Sequence, residues 1–308
     1  WTLNGRYLLL RSKSELPWQS TAHTLHPVNT VLRASRAEVA PGEVESSELP
    51  TVILVMPFLA VGGAERLAIN TIRYLKDKIR FVVVALEPLD RSLGTTADEF
   101  HQVAEATYQF ADFLDANLNL SMMDYLIEKF QPQTLYIANG ATWIYNALHE
   151  IRRKYPSLRI VNQVYDHRVG WINRYDLSLA MDIDAHIGAN PNICKAYMDL
   201  GVAPQRVHFI EHGIDPDEVN PAAYSPQTKQ VIRNRLGLPP EGKVVAFVAR
   251  LHPQKRPMDF VELARRFSSD SAVTFLMVGD GPLAAQVEAE VNRLGLKNFR
   301  RLPFYRPI

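Results

Sequence analysis

Cysteine is almost missing from this 308-residue chain: Cys194 stands alone, so no intrachain disulfide can form. That suits a reducing compartment. Long apolar runs are missing too, and none approaches the ~20 residues needed to span a bilayer. Neither sign of charge is in excess, with 34 Lys+Arg against 33 Asp+Glu. No global field therefore draws the chain to nucleic acid or to a membrane, and any anion site must be local. There is no C-x-x-C to hold a metal. A Lys-Ser/Thr behind a glycine loop and the three-glycine spacing of a dinucleotide fingerprint are both absent.

What is present is ordinary for a soluble globular protein: 47% hydrophobic and 22% charged residues. At roughly 150 residues per domain, the length predicts about two domains. Residues 1–49 are aperiodic and end in the Pro-, Glu- and Ser-rich "EVAPGEVESSELP", an N-terminal extension or linker. The chain opens on Trp1, and charge breaks up the short apolar run behind it, so the start lacks the shape of a signal peptide. "NFRRLPFYRPI" closes the chain just past a polar strand. The expectation is a piece of a longer protein, with room for further domains on either side.

From Thr51 the pattern alternates. "TVILVMPFL" reads as a strand buried on both faces. "AERLAINTIRYLKD" follows at helical spacing, with Leu67, Ile69, Ile72 and Leu75 as core candidates. "RFVVVALEP", "TLYIAN", "RIVNQVYDH", "AHIGAN" and "RVHFIEHG" are further strands, interleaved with helical runs. Strands and helices in this order imply βαβ units and a parallel sheet. Prolines and turn formers interrupt the rhythm at "GIDPDEVNPAAYSPQ". It then restarts with the strand "KVVAFVARL", a helix, "VTFLMVGDG", a helix and "FRRLPF". The expected organisation is α/β: 50–215 a Rossmann-like domain, 216–240 a linker, and 241–308 the first part of a second such domain.

Ligands of open α/β sheets bind at the carboxyl ends of the strands, so the strand exits carry the candidates. Gly62 and Gly63 precede a helix, where bare backbone N–H groups and the helix start favour an anion. They serve equally well as a tight strand–helix turn. Asp166 and His167 end a strand in "QVYDHRVGW", followed by Arg168 and Trp171. A histidine there can act as acid, base or hydroxyl donor, and the bland alternative is a polar surface loop. "EHGID" carries Gly213 at the domain join. In "FVARLHPQKRP", Arg250 and Lys255 suit a diphosphate, unless this is a solvated basic turn. Arg256 either shares that task or points to solvent. "MVGDGP" places Gly279, Asp280 and Gly281 where a base or ribose could lie against backbone, unless it is simply a βα turn. Asp182 and Asp184 in "MDID" have the D-x-D spacing of some metal-dependent transferases, but precede a strand rather than follow it, at the wrong end of the sheet.

Taken in order, these features resemble glycosyltransferase family 4, retaining enzymes of the GT-B fold that use nucleotide-diphosphate sugars. The resemblance runs from Thr51 to the end and is most specific in "VARLHPQKRPMDFVELARRF" and "FLMVGDGPL". It implies two Rossmann-like domains whose parallel sheets face a cleft, the first binding acceptor and the second, incomplete here, binding donor. Arg250 and Lys255 would hold the donor diphosphate, and Gly62 and Gly63 would lie near phosphates and acceptor. His167, or Asp166, would contact the transferred sugar, and Gly279, Asp280 and Gly281 would lie near the nucleoside. The family's E-x₇-E glutamates are not in these residues, and His212 stands where the family commonly shows Asn.

The resemblance thus implies transfer of a sugar from a UDP- or GDP-sugar to an unknown acceptor, a glycan, lipid or small molecule. No metal or other cofactor is expected, and no nucleic acid partner. The setting is cytoplasmic, with peripheral association at the inner membrane face left open. Two other readings stand beside it: a non-catalytic glycosyltransferase-like binding module, and a sugar-nucleotide epimerase. Half a second domain would also leave a sheet edge and apolar faces uncovered.

Overall fold

A computed structural model describes residues 49–90, 94–140, 142–165, 177–214, 216 and 220–303. The chain divides into two compact units between Gly213 and Ile214. In the first unit, strand β1 (Thr51–Met56) leads to helix α1 (Gly63–Leu75), β2 (Arg80–Ala85), α2 (Ala97–Val103), β3 (Ala106–Gln109) and the one-turn α3 (Phe110–Phe113). There follow α4 (Asn119–Phe130), β4 (Thr134–Ala138), α5 (Thr142–Lys154), β5 (Arg159–Val164), the one-turn α6 (Leu177–Ala180), β6 (Ala185–Gly188), α7 (Pro191–Asp199) and β7 (Val207–Phe209).

The seven strands form one sheet in the order β3-β2-β1-β4-β5-β6-β7, and every pairing is parallel. Alternation along β1 sends Ile53 and Val55 to one face and Leu54 and Met56 to the other. The first pair packs with Val82, Val84 and Ile137 beneath residues of α4, α5 and α7, such as Leu126, Leu148 and Ile193. The second packs with Val83 and Ala85 beneath Ala68, Ile69 and Ile72 of α1 and Phe100 of α2. Leu67 and Leu75 of α1 are only half-buried. Central strands therefore read as unbroken apolar runs because both faces are covered.

A polar pin crosses the lower core. Asn162 of β5 is fully buried; its Oδ1 accepts from the Tyr145 hydroxyl at 3.0 Å and its Nδ2 donates to the Tyr197 hydroxyl at 3.0 Å. One amide thus ties α5 and α7 to the sheet with its polar atoms satisfied.

In the second unit, α8 (Pro226–Leu236) precedes β8 (Lys243–Val248), α9 (Pro257–Arg266), β9 (Val273–Val278), α10 (Ala284–Leu294) and β10 (Phe299–Leu302). The strands pair in parallel in the order β10-β9-β8. Ser225 caps α8 by accepting from the Thr228 N–H at 3.1 Å, and Gly237 ends it in the left-handed region at φ 62°. Phe275 and Met277 of β9 pack with Val261, Ala264 and Val287. Phe260 of α9 sits among Phe247, Phe275 and Phe299, with ring centroids 5.3–6.0 Å away. β8 is less covered than its composition predicts: Val248 is 51% exposed and Val245 37%.

The α2 and β3 elements are not visible in the sequence pattern. β3 is a four-residue edge strand, half-buried throughout, without the apolar run of the central strands. Among the described residues, no helix is long and apolar enough to cross a membrane.

His186 of β6 is fully buried, its ring centroid 5.0 Å from that of Tyr197. Burial pulls its pKa down to about 4, with Arg206 and His208 adding to the fall and a backbone hydrogen bond at Ala180 opposing it. An unfolded histidine takes its proton near 6.5, so between that pH and about 4 the unfolded state binds the extra proton. Stability should be unaffected above that window and fall as pH drops through it, by at most about 1.4 kcal/mol per pH unit from this group. Urea unfolding from about pH 7 to about pH 5 is expected to show a shallower slope in His186→Gln than in the wild type. Equal slopes would show that His186 is not the titrating group.

Candidate functional site

The strand order places β2 and β3 on one side of β1, and β4 and its successors on the other. The connections reverse between β1 and β4, which makes their carboxyl ends the switch point of the sheet. Gly62 and Gly63 leave β1 there, and Asn139 and Gly140 leave β4. The two glycines of the first exit differ. Gly62 has extended backbone, φ −159°, and a Cβ on it would collide with the Glu65 carboxylate. Glu65 is itself buried, at the third position of α1. Gly63 has nothing within 4 Å of where a Cβ would be. Only Gly63 therefore leaves open space at the start of α1, where unpaired N–H groups favour an anion.

The β4 and β5 exits are laced together. Asn139 adopts φ 50°, in the left-handed region that Asn tolerates better than most residues. Its N–H donates to the Gln163 carbonyl at 2.9 Å, and its Oδ1 accepts from the Tyr165 N–H at 3.1 Å. The Gln163 Oε1 accepts from the hydroxyls of Tyr136 and Tyr165. Burial pushes the pKa of both phenols up; for Tyr165, the neighbouring Tyr136 and Glu65 add to the effect. Both remain neutral donors at physiological pH. The Tyr165 ring also meets the His212 ring edge-on at 5.2 Å, and partial burial lowers the pKa of that histidine. Asp166 and His167, the next two residues along the chain, lie outside the described residues, as do Arg168 and Trp171. Gly213 is described and exposed, with no neighbour near its missing Cβ.

In the second unit the exits of β8 and β9 form one backbone structure. The Ala249 N–H donates to the Val278 carbonyl at 3.2 Å, Leu251 N–H to Asp280 carbonyl at 2.8 Å, and Leu283 N–H to Leu251 carbonyl at 2.9 Å. Gly279 and Gly281 sit at φ 152° and 147°, where side chains are strained. A Cβ at Gly279 would strike the Ala249 carbonyl oxygen, and one at Gly281 would crowd the Leu251 backbone. Both glycines are thus demanded by backbone against backbone.

Arg250 and Lys255 emerge from this laced pair of loops. Lys255 ends a short 3₁₀ turn, Pro253–Lys255, capped by the His252 Nδ1, which accepts from the Gln254 N–H at 3.3 Å. Both cations are exposed, and neither has an ion-pair or side-chain hydrogen-bond partner among the described residues. Arg256 differs: it pairs with Asp259 at 2.5 Å. The Asp280 Oδ1 accepts from its neighbour, the Gly281 N–H, at 2.9 Å and from Arg301 at 3.2 Å.

The D-x-D pair is occupied with the fold. The Asp184 Oδ2 accepts from the Ile160 N–H at 2.7 Å and pairs with Arg152 at 2.6 Å. Asp182 lies 3.4 Å from the His149 Nδ1. Asp184 directly precedes β6, at the amino end of the sheet and away from the switch point.

A family model described as Glycosyltransferase Family 4 matches residues 61–218, just over half of the chain. A 2-deoxystreptamine glucosyltransferase of Streptomyces kanamyceticus is 30% identical over 144 residues, covering 46% of this chain and 36% of that protein. An Escherichia coli UDP-Gal:alpha-D-GlcNAc-diphosphoundecaprenol alpha-1,3-galactosyltransferase is 34% identical over 88 residues, covering 28% of this chain and 22% of its own. The chain thus spans little more than a third of the one and under a quarter of the other. Among solved structures, Anabaena Alr3699/HepE in complex with UDP superposes with a TM-score of 0.64 at 19% identity, over 84% of this chain and 70% of that one. That likeness is one of fold.

The glycine environments separate structure from ligand access. Gly279→Ala is expected to lower stability by at least about 2 kcal/mol, because it adds strain and a backbone clash together. Gly63→Ala is expected to change stability by no more than about 0.5 kcal/mol, or to raise it, and yet to weaken substrate binding. Thermal or urea unfolding beside a binding assay checks both; unaltered binding in Gly63→Ala would mean that the open space at α1 is unused.

Proposed function

Since this chain belongs to glycosyltransferase family 4, we propose that it is part of a retaining glycosyltransferase that moves a sugar from a UDP- or GDP-sugar to an acceptor hydroxyl. The observation that carries this reading is the Arg250–Lys255 pair: two exposed cations with no anion beside them among the described residues, rising from loops whose glycines are dictated by backbone packing. A diphosphate supplies the missing counter-charge. As the glycosidic bond breaks, negative charge grows on the β-phosphate, and cations already in place lower that barrier without reorganising. The guanidinium of Arg250 can grip two phosphate oxygens, while Lys255 acts as a point charge.

The Anabaena structure with UDP and the two transferases of similar sequence support a nucleotide-sugar donor. On this reading the Gly279–Gly281 loop lies against the nucleoside and Gly63 admits a phosphate or acceptor. His167 or Asp166 contacts the transferred sugar. Attack from the face the nucleotide leaves, with the departing phosphate as base, gives retention. The phosphate contacts come from cations of the chain, so the reaction needs no metal.

In the full-length protein, Arg250→Ala and Lys255→Ala are each expected to cut transfer by at least about tenfold, equivalent to ~1.4 kcal/mol of transition-state stabilisation. Wild-type rates in both variants would remove the diphosphate role. Transfer should also survive EDTA; activity lost to EDTA and restored by manganese would require a metal. Donor binding without turnover would identify a non-catalytic module, and a 2-epimerised sugar nucleotide among the products an epimerase.

A further inference from the structure

Position 301 breaks the alternation of its strand. β10 pairs with β9 so that Phe299 lies opposite Phe275 and Arg301 opposite Met277. Both partners are buried in the core beneath α9 and α10, and Phe299 shares that core. Residue 301 lies on the same face, where the pattern asks for an apolar side chain. It is instead an arginine with its side chain only 16% exposed. Its Nε is buried with no hydrogen-bond partner among the described residues. A charge placed there is costly unless it is paired.

The pairing points at the site. One end of the guanidinium donates to Glu288 of α10. The other reaches the Asp280 carboxylate at 3.2 Å and the Gly279 carbonyl at 3.4 Å. Arg301 thus fastens the Gly279–Gly281 loop to the helix behind it and holds the Asp280 carboxylate against its own backbone. Asp280 is also one hydrogen bond away from the residue after Arg250, through Leu251 N–H.

We propose that Arg301 is a positioning residue of the nucleotide-sugar site: it orients and neutralises Asp280, so that the glycine loop keeps its shape and no free carboxylate competes with a diphosphate for the Arg250 cation. This rests on the nucleotide-sugar reading above. Arg301 touches no ligand in this role; it acts through Asp280.

The test is calorimetric titration of the full-length protein with UDP and with GDP, with melting followed in parallel. Arg301→Met is expected to weaken the preferred nucleotide about tenfold. In an Asp280→Ala background the same substitution should cost no more than about twofold, because its target is already gone. Should Arg301→Met not fold, Arg301→Lys carries the test: it keeps the charge, loses the fork, and is expected to weaken binding about threefold. A lowered melting point with unchanged affinity would make Arg301 a structural brace and overturn the proposal, as would an equal loss in both backgrounds. Wild-type protein that binds neither UDP nor GDP would sink the nucleotide-sugar reading, and this inference with it. Wild-type binding with an indifferent Arg301 variant would sink this inference alone.

Discussion

Parallel pairing is the constraint from which the candidate sites follow. When every strand runs the same way, every connection must cross back over a face, and all carboxyl ends gather on one edge. In the first unit the order β3-β2-β1-β4-β5-β6-β7 adds a reversal between β1 and β4. Crossovers leave that point in opposite directions and open a crevice. Gly62, Gly63, Asn139 and Tyr165 gather at that edge for this reason, although they are far apart in sequence. In the second unit the same rule brings the exits of β8 and β9 side by side, close enough to exchange backbone hydrogen bonds.

Within each edge, committed and uncommitted groups divide the labour. Glu65 fills the space beside Gly62, Gln163 gathers two phenols, and Arg301 holds Asp280. These polar groups are wholly or partly buried and hold the loops in shape. Arg250 and Lys255 are the opposite, exposed and without partners among the described residues. Arg256 is drawn aside by Asp259, three residues further along α9. A basic turn of three cations thus presents two to a ligand. Exposed charges cost little when unpaired, so the fold can hold them ready for an anion.

Much of this was legible in one dimension. Central strands such as "TVILVM" and "RFVVVA" announce themselves because covering on both faces requires apolar side chains at every position. "VARLHPQKRP" and "VGDGP" are legible because clustered cations and paired glycines stand out where a strand pattern ends. The edge strand β3 and the short α2 were not, since a half-buried edge tolerates polar residues and leaves no period to read. "KVVAFVARL" reads as an apolar strand, yet Val245 and Val248 of β8 are exposed. The "MDID" pair stands before a strand, where Asp184 anchors Arg152 and the start of β5.

The sequence by itself determined the alternation of strands and helices, the parallel sheet that alternation requires, and the residue types at each exit. These are local properties: side-chain period, turn chemistry and charge are written within a few residues. Only the tertiary structure decided which exits meet. Glu65 against Gly62, Asn139 reaching Tyr165, Tyr165 against His212, and Arg301 gripping Asp280 each depend on backbone paths or side-chain directions that close in three dimensions. Arg301 shows the reason most plainly. In sequence it is one of two adjacent arginines in a short polar strand. Its register opposite Met277 turns it under the helices and toward the glycine loop, and register is a property of the pairing, not of the strand.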